Sequence, residues 1–180
     1  MSRRGFTLME MLVVLVVILA LAAIVIPQVA GRARDATPTA VISSISTLAD
    51  AIGQFKADVR RYPGRLEWLG TNTGSPTDIC GNAIPAGLLD RWNGPYIQRQ
   101  VSNGIPAGDA TVINLLERDD PASTTVSSLI LKAADIGQEA AETIDREIDG
   151  TIDLNAGTVR WTDVAGPTDT LYYYYPIRGC

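Results

Sequence analysis

Hydrophobic and polar positions follow three different rhythms along the chain. Met11 to Ile26 is an unbroken apolar run. With Phe6 to Glu10 added, it makes a helix of about 31 Å, close to one hydrocarbon core. Val41, Ile45, Leu48, Ile52, Phe55 and Val59 then recur at alternating steps of four and three, a single apolar stripe. Asp35, Ser44, Asp50, Gln54 and Lys56 fall on other faces, so one helix is expected to about Arg60. Tyr62-Pro63-Gly64 should stop it, and residues 64 to 90 read as loop. Thr111 to Leu116 reads as a strand, followed by a turn at Asp119-Asp120-Pro121. Val126, Leu129, Ile130, Ala133, Ile136, Ala140, Ile144 and Ile148 suit a second amphipathic helix ended by Gly150. Ile148 to Arg160 reads as a hairpin or a turn into a strand, and Thr170 to Ile177, with four consecutive tyrosines, as a strand. Alternation along it would bury two of Tyr172 to Tyr175 and expose two.

The first run carries one acid, Glu10, four residues after Phe6. A carboxylate at membrane depth is costly and calls for a partner. Pro27 would remove the ladder bond to the Ala23 carbonyl, with Gly31 close behind. Two simpler readings of the segment leave residues unexplained. A secretory signal would show a small-residue site, and Ala20-Leu21-Ala22 has that form but lies inside a run continuing to Ile26. A plain anchor explains the length and ignores Gly5 and Glu10.

Arg3-Arg4-Gly5-Phe6-Thr7-Leu8-Met9-Glu10, the apolar run and Pro27 together resemble the class III signal of type IV pilins and type II secretion pseudopilins. The resemblance implies residues 1–5 as a leader, 6–30 as a transmembrane assembly helix and 31–180 as a periplasmic globular domain that includes the second half of the long helix. It implies that a prepilin peptidase cuts after Gly5 and methylates Phe6, and that Glu10 pairs with the Phe6 amine of a neighbouring copy in the fibre. The Pro27–Gly31 segment would loosen on assembly, although an ordinary proline kink is equally compatible. Arg3 and Arg4 would hold the leader in the cytoplasm and send the bulk of the chain outward across the inner membrane.

Further along, Asp90-Arg91-Trp92-Asn93-Gly94-Pro95-Tyr96-Ile97 resembles the Trp-x-Gly-Pro-Tyr-Leu element of major type II secretion pseudopilins, with Ile97 in place of the leucine. Gly94-Pro95 makes a turn, and Trp92 and Tyr96 are expected to anchor it on the core helix. Tyr62-Pro63 is similar to the end of the pseudopilin helix. The expected fold is therefore α+β and pilin-like: a long N-terminal helical spine on a small antiparallel sheet, with an additional amphipathic helix.

Composition narrows the chemistry. The formal charge is −5 with no basic block, which argues against nucleic acid as the main ligand. The sequence has no histidine, which removes Ser-His-Asp and Cys-His catalysis and the commonest zinc ligand. Cys80 and Cys180 have no metal-ligand spacing. In an exported domain their even count suggests a disulfide, as against two independent small residues, and many pilins pin a C-terminal loop this way. Asp149, Asp153, Asp163 and Asp169 fall in the C-terminal third, where major pseudopilins hold calcium; solvated turn acids are the competing reading.

The expected function is a filament subunit of a type II secretion system. Expected partners are further copies of itself, prepilin peptidase, the inner-membrane assembly platform, minor pseudopilins and the membrane. The alternative is a type IV pilus subunit for adhesion, motility or DNA uptake, which the cysteine pair favours. An enzyme is not expected, since no catalytic set converges in the sequence.

Overall fold

The computed structural model describes residues 7–34, 36–72, 74–99, 101, 103–119, 128–162 and 169–180, with the side chains of 23–34 left out. The chain divides into two compact units, Met1–Ala36 and Thr37–Cys180. The first contains α1 (Leu8–Arg34), a helix that runs through Pro27 without ending. Among the described residues no helix is long and apolar enough to cross a membrane.

The second unit is built around α2 (Ala36–Val59). Its six stripe residues, Val41, Ile45, Leu48, Ile52, Phe55 and Val59, are all buried, as the four-three spacing requires. Burial of side chains this size stabilises by about 1.5–3 kcal/mol each, so this stripe is the main adhesive of the unit. The helix ends at Val59, within a residue of the end expected at about Arg60. Arg60 takes a left-handed conformation at φ 63°, three residues before Pro63.

Two single-turn helices, α3 (Glu67–Gly70) and α4 (Ala86–Leu89), interrupt the stretch expected to be loop. The sheet follows: β1 (Ile105–Ala107), β2 (Ala110–Val112), β3 (Glu117–Arg118), β4 (Ser128–Ile136), β5 (Val159–Trp161) and β6 (Asp169–Pro176). Its order is β1-β2-β4-β6-β5, with β3 also on β4, and every pairing is antiparallel.

The largest correction to the sequence reading concerns Ser128–Ile136. It is the central strand and not the first half of a helix; only α5 (Gln138–Asp149) is helical. Leu129, Leu131 and Ala133 point into the core at a period of two, while Ile130 and Lys132 lie on the other face, opposite Tyr174 and Tyr172. Leu129, Ile130, Ala133 and Ile136 satisfy helical spacing as well, so local pattern alone could not decide. Pairing with β6 over most of its length decides it, because an isolated helix there would leave β6 without a central partner. Gly137 then begins α5, and Gly150 ends it at φ 78°.

The expected strand at Thr111–Leu116 is shorter, reduced to β2, and pairs with β1, which the pattern did not indicate. Val126, Asp120 and Pro121 lie outside the described residues. The four tyrosines of β6 split by face as alternation demands, yet all four are half-buried. Tyr173 and Tyr175 pack on the core, and the outward pair is covered by cations. Lys132 Nζ lies 5.4 Å from the Tyr172 ring and the Arg160 guanidinium 4.1 Å from that of Tyr174.

Candidate functional site

Assembly chemistry is expected at the start of α1. Gly5 and Phe6 lie outside the described residues, and Pro27 is described only as part of the helix. What is described begins with Thr7. The Glu10 amide donates to Thr7 Oγ1 at 3.3 Å and to the Thr7 carbonyl at 3.1 Å. Thr7 therefore caps the helix, with Glu10 three residues on, the spacing of a capping box. Sequence reasoning treated Glu10 as a charge in search of a partner and missed this local role. The Thr-x-x-Glu pattern was the available signal. A carboxylate in the first turn also meets the positive end of the helix dipole.

Beyond the cap, the described part of α1 is apolar on every side. Leu8 is 85% exposed, Leu19 68% and Leu21 60%. Among the described residues, the only exposed large apolar side chains outside α1 are Leu115 at 47% and Ile152 at 41%. A helix apolar all round needs lipid or other protein around it.

The Trp92–Tyr96 turn sits where the sequence placed it, on the end of α2. Tyr96 packs edge-on against Phe55, ring centroids 5.8 Å apart, and against Trp92 at 5.6 Å. Its hydroxyl donates to Asp58 Oδ2 at 2.8 Å and accepts the Asn93 amide at 3.0 Å. Trp92 Nε1 donates to the Trp68 carbonyl at 3.2 Å, so the turn also ties down α3. The Trp92 ring folds over Gly94, where an added Cβ would come 2.5 Å from Cζ2. Only glycine leaves room for that ring. The Gly94–Pro95 bond is cis. Burial, with smaller contributions from the Asp58 carboxylate, pushes the Tyr96 hydroxyl up to about 12.

A second fastening joins distant parts of the chain. Cys80 and Cys180 form a disulfide with Cα atoms 5.8 Å apart. Lys56 Nζ donates to the Cys180 carbonyl at 3.4 Å and lies 4.2 Å from the Tyr62 ring. Burial and the neighbouring Arg61 and Arg60 lower the Lys56 pKa. Asp78, 2% exposed, organises the loop that carries Cys80. Its Oδ1 accepts the Cys80 and Asn82 amides at 3.0 and 2.9 Å.

Three of the four candidate calcium acids are described. Asp149 Oδ2 accepts the Val159 amide at 2.8 Å, and Asp153 Oδ1 accepts the Asn155 amide at 3.0 Å. Asp169 is buried at the start of β6, opposite Ile136, and Asp163 lies outside the described residues. Among the described residues no three Asp, Glu, His or Cys side chains come together as a metal site. An acid the sequence reading passed over is more deeply buried. Asp145, 1% exposed, accepts the Asp153 amide at 2.8 Å and so pins the loop after α5.

Comparison with known proteins places this geometry. The Prokaryotic N-terminal methylation motif matches residues 1–26. Type II secretion system core protein G of Escherichia coli K12 is 31% identical over 103 residues, 53% of this chain and 71% of that protein. Its Pseudomonas aeruginosa counterpart is 35% identical over 109 residues, 53% of this chain and 75% of that protein. The chain belongs to the type II secretion system core protein G family. The Aeromonas hydrophila core protein G adds 32% identity over 99 residues, 51% of this chain and 69% of that protein. Close to half of the chain thus lies outside the stretch shared with each of these relatives. No solved structure matches the chain.

Proposed function

We propose that the chain is a structural subunit of a type II secretion filament. It is made as a prepilin, cut after Gly5, methylated on Phe6 and polymerised through the helix that follows. The carrying observation is the concentration of bare apolar side chains on α1 in a chain whose first 26 residues match the methylation motif. Before assembly this surface is covered by the inner membrane, crossed once, with the second unit in the periplasm. After assembly it is covered by the same helix of neighbouring copies. Pairing Glu10 with a neighbour's Phe6 amine neutralises both charges in an apolar setting, and a wrong register leaves both uncompensated. Further partners are the prepilin peptidase, the membrane assembly platform and minor pseudopilins. In this reading the chain is a substrate of an enzyme and not itself one. The shared name of the relatives favours secretion over a pilus.

The test is intact mass and N-terminal sequencing of the membrane-extracted chain, from cells with and without prepilin peptidase. A chain beginning at N-methylated Phe6 only when the peptidase is present supports the reading. A chain that keeps Met1 in both, or is cut near Ala22, overturns it.

A further inference from the structure

The boundary between the two units coincides with a contact that spans 72 positions of sequence. Thr37, the first residue of the second unit, is 8% exposed, and its hydroxyl is used twice. It donates to Asp109 Oδ2 at 3.2 Å and accepts the Asp109 amide at 3.2 Å. Asp109 belongs to the two-residue turn between β1 and β2, where Ala107 pairs with Ala110. Its neighbour Gly108 has φ +65°, and a Cβ there would come 2.8 Å from Thr37 Cα and from Thr37 Oγ1. The turn is therefore pressed against Thr37 as closely as a bare backbone permits.

Pro38, beside Thr37, is buried and has no amide proton to give the helical ladder, so this part of the helix has fewer bonds of its own and the hairpin contact counts for more.

We propose that the Gly108–Asp109 turn is a latch that fixes where the folded unit begins. Fastened, it holds the Thr37 turn of the helix against the sheet. Released, that turn unwinds while the buried stripe from Val41 onward stays in place. Unwinding the four residues from Ala36 to Thr39 lengthens the chain by about 7 Å, from 1.5 Å to about 3.3 Å per residue. In a filament, where load reaches the globular unit through α1, the latch makes this turn the first to yield. That consequence rests on the filament reading; the latch itself does not.

Hydrogen exchange on the full chain in detergent micelles tests it without requiring assembly or processing. In an α-helix the amides of Ala40, Val41 and Ile42 bond to the carbonyls of Ala36, Thr37 and Pro38. In Asp109→Ala and in Thr37→Val these three should exchange about tenfold faster, with Ile45 to Phe55 and α1 unchanged. Asp109→Asn keeps an oxygen acceptor and should exchange like the wild type. Wild-type rates at Ala40 to Ile42 in both disrupting variants overturn the latch. So does a loss of protection spread evenly through Ile45 to Phe55, which would make the hairpin ordinary core.

Discussion

Tyr96 gives its hydroxyl proton to Asp58 Oδ2 at 2.8 Å, joining a surface turn to the last full turn of α2. The same oxygen accepts the Asn93 amide, so one phenol closes its own turn and docks it. Tyr96→Phe removes both bonds and strands the Asp58 carboxylate beside an apolar ring. It should cost about 1–2 kcal/mol, read from urea unfolding with an unchanged m-value.

Burial of the same hydroxyl sets a pH dependence. The folded pKa of Tyr96 is raised, from an ordinary 10.0 to about 12. The protonated phenol therefore contributes stability that is fully present below pH 10 and lost as pH rises toward 12. Between those values wild-type stability should fall more steeply than that of Tyr96→Phe. Parallel curves from thermal melts at closely spaced pH would overturn the raised Tyr96 pKa.

Gly94→Ala tests the ring above it. The added Cβ meets the flat face of Trp92 and not the end of a flexible chain, so the indole must leave its place and lose the Trp68 carbonyl. A loss of at least about 2 kcal/mol is expected, with a changed near-ultraviolet circular dichroism signal from Trp92.

The strand assignment of Ser128–Ile136 predicts an alternating response. Leu131→Ala should cost about 2–5 kcal/mol, as expected for a fully buried leucine. Lys132→Ala, next in line, loses a partly exposed ion pair to Glu117 and a cation above Tyr172, and should cost under about 1 kcal/mol. Equal costs at the two positions, measured by chemical denaturation, would speak against a two-faced strand.

How much of this was legible beforehand depended on how local the deciding interaction is. The α2 stripe was readable because its partner surface is the whole core and its period is sustained from Val41 to Val59. The Trp92–Tyr96 turn was readable from its residue types, though Asp58 as its hydrogen-bond acceptor was not. At Leu129–Ile136 two periods fitted equally and only a distant strand chose between them. The β1–β2 hairpin escaped notice because its strands are three residues long and one includes Pro106, tolerated on an edge. Its grip on Thr37 had no local signature at all. The cysteine pair could be suspected from an even count, but nothing local to either residue showed that Cα atoms 100 positions apart come within 5.8 Å.

Reduction supplies the last prediction. The disulfide closes a loop of 100 residues, worth about 4.7 kcal/mol if its effect is on the unfolded chain. Cys80→Ser, or a reductant, should lower the melting temperature without abolishing the α2 core. An unchanged midpoint would show that Lys56 and the β6 packing already hold the tail.

That bond also dates the molecule. The bond between Cys180 and Cys80 forms and persists only where thiols are oxidised. In the proposed filament reading, a copy on the reducing side of the membrane carries an open tail, and one that has crossed carries a closed ring. Counting free thiols would therefore tell which side of the barrier a given copy has reached, independently of whether it has joined anything.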